Sequence, residues 1–76
     1  MQNKHVNIKA ASQIMGYTPK TISRLIKRGL LPIHRASNGS QLRVWIYDIH
    51  ATMIYNKSFV TLNDYQKDEI RLRANE

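Results

Sequence analysis

Residues 7–32 read NIKAASQIMGYTPKTISRLIKRGLLP, and this stretch decides the fold. Asn7 is a good N-cap, because its side-chain oxygen can accept a hydrogen bond from a backbone N–H two or three residues later. A first helix is therefore predicted from Asn7 to Gly16, since glycine readily takes the left-handed conformation that ends helices. Only Gly16, Tyr17 and Thr18 separate it from the next helical segment. A turn this tight between two short helices is typical of a helix-turn-helix.

The second helix has a clear start and a clear end. Thr18 is its predicted N-cap, and Pro19 occupies the first helical position, where the missing N–H costs nothing. Gly29 follows the last turn, so the helix is predicted over residues 19–28. Both helices carry apolar side chains at i, i+3 and i+4, the spacing of one buried face. These side chains are Ala11, Ile14 and Met15 in the first helix and Ile22, Leu25 and Ile26 in the second.

A β-hairpin is predicted after the second helix. Residues 33–35 form its first strand, and the Asn-Gly pair at 38–39 is a strong signal for a hairpin turn. Residues 41–46 read QLRVWI and form the second strand, which is rich in residues that favour strands. Strict alternation places Trp45 on the face opposite Val44, unless a bulge turns it inward. This hairpin would be the wing of a winged helix-turn-helix.

Two more helices are predicted in the rest of the chain. The third spans about residues 48–55, with Asp48 as its cap. Thr61 is predicted to cap a fourth helix over about residues 62–73. A capping-box variant and a hydrophobic staple are expected around its start. The residues at these positions are Asp64 for the box and Val60 and Tyr65 for the staple.

The predicted fold class is mainly α with a small β-hairpin, a winged helix-turn-helix followed by a C-terminal helix. Residues 1–56 form the winged domain, and residues 57–76 form a helical extension that packs on the domain or on a partner. The chain has no cysteine, which excludes disulfides and thiolate zinc sites. No apolar run approaches the roughly 20 residues of a membrane helix, and the first nine residues lack the apolar core of a secretory leader. A cytoplasmic location is expected.

Charge is distributed unevenly along the chain. Residues 1–47 contain eight Lys and Arg and no Asp or Glu, which gives +8. The remaining residues contain four Lys and Arg against five Asp and Glu, which gives −1 and brings the total to +7. Solvated surfaces usually mix both signs, so a long acid-free basic segment favours a polyanionic partner such as nucleic acid.

The ordered motifs of residues 7–53 resemble the winged helix-turn-helix of the MerR superfamily, in the branch that holds phage excisionases and AlpA-type regulators. The small terminase subunits of some tailed phages share this winged domain and are the nearest rival. The chain departs from many relatives in having no acidic residue in the first helix and in continuing beyond the third. The motifs are Ala10-Ala11, Gly16, Thr21-Ile22-x-Arg24, Lys27-x-Gly29-x-Leu31-Pro32 and the run RVWIYDI at 43–49.

The second helix would present a basic, polar face to DNA. A recognition helix reads base edges with its N-terminal half, and an arginine can bind guanine through two hydrogen bonds. Base reading is therefore assigned to Lys20, Ser23 and Arg24. Contacts to the DNA backbone are assigned to Thr18, Thr21, Lys27, Arg28 and Arg35, with Thr21 following from the resemblance. Wing contacts are assigned to Ser37, Asn38, Ser40 and Arg43, although ordinary turn chemistry also accounts for the two serines.

No catalytic site, metal site or cofactor is predicted, and the chain is expected not to be an enzyme. His5, His34 and His50 are scattered, without the spacing of metal ligands. The acids at 64, 68 and 69 are neighbours on a helix and are interpreted as solvated charges rather than as a catalytic pair. Most aromatic side chains are expected to pack in the core or an interface rather than to stack on bases.

These observations predict a sequence-specific protein for double-stranded DNA from a phage or mobile element. It would act as an excisionase-like architectural factor or transcriptional regulator near the nucleoid of a bacterial host. The alternatives are the DNA-recognition domain of a small terminase subunit, used in packaging, and an accessory protein that docks a recombinase or replication enzyme. The expected partners are duplex DNA, a second copy through residues 57–76, and a recombinase, terminase or replication protein, but no membrane.

Overall fold

The computed structural model describes residues 3–35 and 42–75. Within them the chain is mainly helical and also forms a small three-stranded antiparallel sheet. None of the helices in this part of the chain is long and apolar enough to cross a membrane. In chain order, the elements are β1 (His5–Asn7), α1 (Ile8–Met15), α2 (Pro19–Lys27), β2 (Ile33–Arg35), β3 (Leu42–Trp45), α3 (Ile46–Tyr55), a single 3₁₀ turn (Phe59–Thr61) and α4 (Asp64–Ala74).

Both predicted caps of α1 are confirmed. The Asn7 side chain accepts a hydrogen bond from the backbone N–H of Ala10 at 2.8 Å. This bond satisfies one of the N–H groups that the start of a helix leaves unpaired. Gly16 ends the helix in the left-handed region at φ 73°, and its N–H donates to the carbonyl of Ser12. A residue with a side chain would be strained in that conformation, which explains why glycine stands there.

α2 begins as predicted and ends one residue earlier than predicted. The Thr18 hydroxyl accepts a hydrogen bond from the backbone N–H of Thr21 at 3.3 Å, and Pro19 is the first helical residue. The helix ends at Lys27 because Gly29, at φ 81°, soon turns the chain away. The short turn between α1 and α2 follows the sequence prediction.

The main core lies between α1, α2, α3 and the inner face of the sheet. The predicted stripe of α2 is confirmed, since Ile22 and Leu25 are buried and Ile26 packs at the edge of the cluster. The prediction that Ile14 faces the core is wrong, because α1 turns the side bearing Met15 inward and leaves Ile14 41% exposed. The buried members of this core are Ala11, Met15, Ile22, Leu25, Leu31, Val44 and Ile49.

The sheet contains a strand that was absent from the predicted hairpin. β3 is central, and it pairs antiparallel with β2 on one side and with β1 on the other. The register places Val6 and Ile33 opposite Val44, so these three residues lie on the inner face. Because β1 pairs with a strand far away in the chain, its three residues carried no local signal. Trp45 lies on the outer face, as strict alternation predicts.

α3 begins earlier than predicted, and Asp48 is not its cap. The chain passes directly from β3 into the helix at Ile46, and no side chain caps the start. Asp48 instead lies buried within the helix, where a carboxylate oxygen accepts a hydrogen bond from the backbone N–H of Phe59 at 2.7 Å. The correction has a tertiary cause: Ile46 packs on the main core, which extends the helix back to the end of β3.

α4 begins at Asp64, and its cap is Asn63 rather than Thr61. Asn63 and Gln66 form a reciprocal capping box, so the predicted box of Thr61 with Asp64 is wrong. The Thr61 hydroxyl donates to the carbonyl of Ser58 at 2.8 Å within the 3₁₀ turn. The predicted hydrophobic staple is also wrong, because its two side chains are exposed, Val60 at 73% and Tyr65 at 75%.

A second, smaller apolar cluster joins α4 to α3. It contains Tyr47 and Ala51 from α3, Leu62 from the segment before α4, and Ile70 from α4. Burying Leu62 in this cluster places Asn63 at the start of the helix, which explains the choice of cap. α3 therefore belongs to both clusters, with Ile49 in the main core. Phe59 packs beside the second cluster.

Candidate nucleic-acid interface

The outward face of α2 carries the residues predicted to read bases. Lys20, Ser23 and Arg24 are all exposed. Their orientation is fixed from behind, because Ile22 is fully buried and Leu25 is 9% exposed in the main core. A helix has 3.6 residues per turn, so positions 20, 23 and 24 lie on one face. The structure therefore brings these three side chains together, as the sequence predicts.

The N-terminal end of α2 is held by two threonines. The Thr18 hydroxyl accepts from the backbone N–H of Thr21 and lies 3.1 Å from the Thr21 hydroxyl. Thr18 is exposed and Thr21 is half-buried. The helix start carries partial positive charge and spare N–H groups, which favour an anion. Both threonines thus stand where a DNA backbone contact was predicted, although their hydroxyls already cap the helix.

The C-terminal end of α2 adds two exposed cations. Lys27 is the last helical residue, and Arg28 follows it as the C-cap. Arg35 lies at the end of β2 and is also exposed. The predicted phosphate-binding residues are therefore spread from α2 to β2, the strand that follows it.

The predicted wing contacts fall on different parts of the chain. Ser37, Asn38 and Ser40 lie outside the described residues. Arg43 lies in β3, where it is half-buried and its Nε–H donates to Nδ1 of His5 at 2.7 Å. Its side chain is thus held against the sheet by a neighbouring strand. Sequence reasoning did not anticipate this bond, because it depends on the pairing of β1 with β3.

The outer face of the sheet carries a cluster that the sequence reasoning missed. The rings of His5 and His34 stack with centroids 4.5 Å apart, and Trp45 lies 5.2 Å and 5.3 Å from them. Partial burial, followed by the charges of His34 and Arg43, lowers the pKa of His5 below its ordinary value of 6.5. The alternation of Trp45 with Val44 was the one available signal for an outer face. Neither histidine gave such a signal, because β1 and β2 come close together only by pairing with β3.

Among the described residues, the ion pairs of the acidic side chains lie within the C-terminal helix. Both ion pairs found in the described part of the chain are within α4, where Arg71 contacts Asp68 at 2.8 Å and Arg73 lies 3.8 Å from Glu69. Burial raises the pKa of Asp48, and the hydrogen bond from Phe59 partly offsets that effect. The exposed cations of α2 therefore have no carboxylate partner among the described residues.

The candidate interface thus consists of a capped, basic helix face with further cations at its C-terminal end and in β2. The three residues predicted to read bases come from one short helix whose apolar side is anchored in the core. Comparison of the chain with protein-family models, with curated proteins and with solved structures found no match.

Proposed function

We propose that the protein binds double-stranded DNA in a sequence-specific manner, through α2 as the recognition helix of a winged helix-turn-helix. In this proposal α1 and α2 are the helix-turn-helix, and the β2–β3 hairpin is the wing. The observation that carries it is the outward face of α2, where Lys20, Ser23 and Arg24 are exposed together while Ile22 and Leu25 anchor the opposite side.

The dimensions and chemistry of α2 support this role. An α-helix with its side chains is about 10–12 Å across, which matches the roughly 12 Å width of the major groove. Arg24 can donate two hydrogen bonds to a guanine edge, and Ser23 can bond to several bases. Lys27, Arg28 and Arg35 would neutralise phosphates beside the groove, which fixes orientation and sets affinity without reading sequence.

The role in the cell follows the resemblance stated above. The protein would act as an excisionase-like architectural factor or a transcriptional regulator of a phage or mobile element. Its acid-free basic half supports association with DNA in either role, because counterion release from the backbone supplies much of the binding free energy. The two roles differ in the protein partner, a recombinase in one and the transcription machinery in the other. The position of the DNA site that α2 selects would decide which partner is nearby.

The test begins with a selection of bound sequences from a random duplex pool, followed by anisotropy titrations on the selected and on a scrambled duplex. Arg24→Ala should cost about 1–3 kcal/mol on the selected duplex and much less on the scrambled one. Lys27→Ala should weaken both duplexes by a similar factor and lower the salt slope by about 1. Lys57→Ala removes an exposed charge outside the interface and serves as the control.

Three outcomes would contradict the proposal. A pool that yields no enriched sequence would remove the claim of sequence-specific binding. If Arg24→Ala lowered the affinity for both duplexes by the same factor, the assignment of base reading to Arg24 would be wrong. Unchanged binding after both α2 substitutions would place the interface elsewhere on the molecule.

A further inference from the structure

Residues 3–7, which contain β1, hold the starts of two helices, and we call this segment the N-terminal strap. We infer that the strap is sensitive to protons: protonation of His5 weakens the pairing of β1 with β3 and thereby loosens the starts of α1 and α3. The inference concerns the fold alone, so it holds or fails independently of DNA binding.

The strap supplies hydrogen-bond acceptors to the start of α3. The backbone N–H of Ile46 donates to the carbonyl of Lys4 at 2.8 Å, and the backbone N–H of Tyr47 donates to the side chain of Asn3 at 3.1 Å. These bonds satisfy N–H groups that the first turn of a helix leaves unpaired. α3 therefore depends on a segment that lies 44 residues earlier in the chain.

The other end of the strap caps α1. Asn7 is the last residue of β1, and its side chain accepts from the backbone N–H of Ala10 at 2.8 Å. β1 runs directly into α1, and Val6 packs against the main core. Because strand and helix share this junction, a shift of β1 away from β3 would also displace the cap of α1.

His5 ties the strap to both other strands of the sheet. Its Nδ1 accepts a hydrogen bond from Nε of Arg43 in β3 at 2.7 Å. Its ring stacks on that of His34 in β2, with centroids 4.5 Å apart, and lies edge-on to Trp45 of β3 at 5.2 Å. One imidazole thus joins β1 to β2 and to β3.

This arrangement requires His5 to be neutral. The Nε of an arginine always carries a proton, so Nδ1 of His5 must be the acceptor. A proton on Nδ1 would set two donors against each other and turn the hydrogen bond into a contact between two cations. If His34 is charged as well, the two stacked rings also repel each other.

The elements around His5 bring mostly positive charge. In the described parts of the strap, the other two strands and α1, the charged or titratable side chains are all basic. α3, which packs on β3, brings His50 and two tyrosines, and its single acid is Asp48, whose buried carboxylate accepts from Phe59. A protonated His5 is therefore surrounded by further bases. Besides His5 itself, the basic side chains of the strap, the strands and α1 are Lys4, Lys9, His34, Arg35 and Arg43.

The sign of the pH dependence follows from linkage. Partial burial, followed by the charges of His34 and Arg43, lowers the pKa of His5 below its ordinary value of 6.5. The open strap therefore binds more protons than the closed one as the pH falls through that value. The stability that neutral His5 contributes is fully present above the ordinary value and is lost as the pH falls towards the folded pKa.

Hydrogen exchange of the wild-type protein, followed by NMR, tests the opening directly. Protection factors, which correct for the pH dependence of the intrinsic exchange rate, should fall about threefold or more for the amides of Ile46 and Tyr47 between about pH 7.5 and about pH 5. The amide of Gln66 is the matched control, since it also donates to an asparagine side chain, that of Asn63, but lies in α4. Its protection should stay constant.

His5→Asn tests whether His5 is the group that titrates. The Asn amide oxygen can take the place of Nδ1 as acceptor for Arg43, and it takes up no proton in this range. The melting temperature of this variant should therefore increase relative to that of wild type as the pH falls from about 7.5 to about 5. His50→Asn, which changes a histidine outside the strap, should keep the loss of protection at positions 46 and 47.

Two results would overturn the inference. One is protection at positions 46 and 47 that stays constant with pH in wild type, or that falls no more than at Gln66. The other is a difference in melting temperature between His5→Asn and wild type that is the same at both pH values. The exchange measurement uses the wild-type chain, so it decides the question even if His5→Asn fails to fold.

Discussion

Two arginines of the basic half show how the surroundings of a side chain decide what it can bind. Arg24 is exposed on α2 beside Lys20 and Ser23, and its planar fork of donors is available to a base edge. Arg43 is half-buried in β3, and one of its donors bonds to His5. Base reading is therefore proposed for Arg24 and not for Arg43.

Asp48 gives a prediction about pH. Its burial raises the pKa, and the hydrogen bond from Phe59 only partly offsets this effect. Because the folded pKa lies above the ordinary value of 3.8, the stability that this group contributes is fully present below that pH and is lost as the pH rises through the folded pKa. Asp48→Asn keeps an oxygen that can accept from Phe59 but carries no charge.

The melting temperature of Asp48→Asn should therefore increase relative to that of wild type as the pH rises from about 3 to about 7. Thermal melts followed by circular dichroism across this range measure the difference. Asp64→Asn, at an exposed position on α4, is the control and should show no such trend. If the melting temperature of wild type instead increased relative to that of Asp48→Asn with rising pH, the buried carboxylate would be stabilised as an anion.

At the scale of elements, α4 has two candidate caps: Thr61, which the sequence predicts, and Asn63, which the structure shows. Asn63 accepts from the N–H of Gln66 at 2.8 Å, and Gln66 accepts from the N–H of Asn63 at 3.2 Å. Asn63→Ala should therefore lower the free energy of unfolding by about 1 kcal/mol. Thr61→Ala removes one hydrogen bond of the 3₁₀ turn and should cost about half as much.

Urea unfolding of both variants measures these costs. The helical circular dichroism signal of each folded variant shows whether the start of α4 frays. A larger cost for Thr61→Ala than for Asn63→Ala would mean that the sequence-predicted cap is the one that holds the helix. Equal costs would also contradict the role of Asn63 as the cap, since Asn63→Ala leaves the backbone N–H of Gln66 at the helix start without its partner.

The elements that the sequence predicted well are those with local signals. Asn7, Gly16 and Thr18 act through neighbours within a few residues, so α1 and α2 were predicted to within a residue or two. β1 exists only because it pairs with β3, and the start of α4 depends on burying Leu62 against α3. Tertiary packing determines the presence of β1 and the start of α4, and local sequence patterns do not reveal that packing.

The candidate site divides in the same way. The exposure of Lys20, Ser23 and Arg24 follows from the helical period once the apolar stripe is known, so their common face was predicted. The cluster of His5, His34 and Trp45 on the outer face of the sheet depends on the register of three strands, two of which are only three residues long. Nothing near His5 or His34 in the sequence indicates that their rings stack.

At the scale of the whole molecule, α4 presents an uncovered apolar strip. Tyr65 and Leu72 are seven residues apart, which places them on one side of the helix, and they are 75% and 66% exposed. The Arg71–Asp68 and Arg73–Glu69 pairs lie on the same helix. We propose that this strip supports weak self-association of neighbouring copies on DNA. Two side chains are far too small an area for a stable dimer in solution.

The double variant Tyr65→Gln/Leu72→Gln should keep the unfolding free energy within about 0.5 kcal/mol of wild type, since both side chains are exposed. It should lose cooperativity on a duplex that carries two adjacent sites, measured by titration against a duplex with one site. Val60→Gln is the control, because Val60 is 73% exposed but lies outside the helix. Cooperativity that survives the double variant would rule out this strip. Truncating α4 would not test the role of this strip, because it would also remove the buried Ile70 and uncover the buried Leu62.

The separation of charge along the chain is the property of the whole molecule on which the account depends. The first 47 residues carry +8 and the rest carry −1. If the basic part binds duplex DNA, each phosphate that it neutralises releases condensed counterions. About five to seven such contacts from α2, β2 and the wing would make binding strongly dependent on salt.

The most direct test is an anisotropy titration of a labelled duplex at a series of salt concentrations from low to physiological. The logarithm of the binding constant should fall linearly with the logarithm of the salt concentration, with a slope of about −5 to −6. A protein that shows no binding to duplex DNA at low salt, or that binds with almost no dependence on salt, would contradict the account.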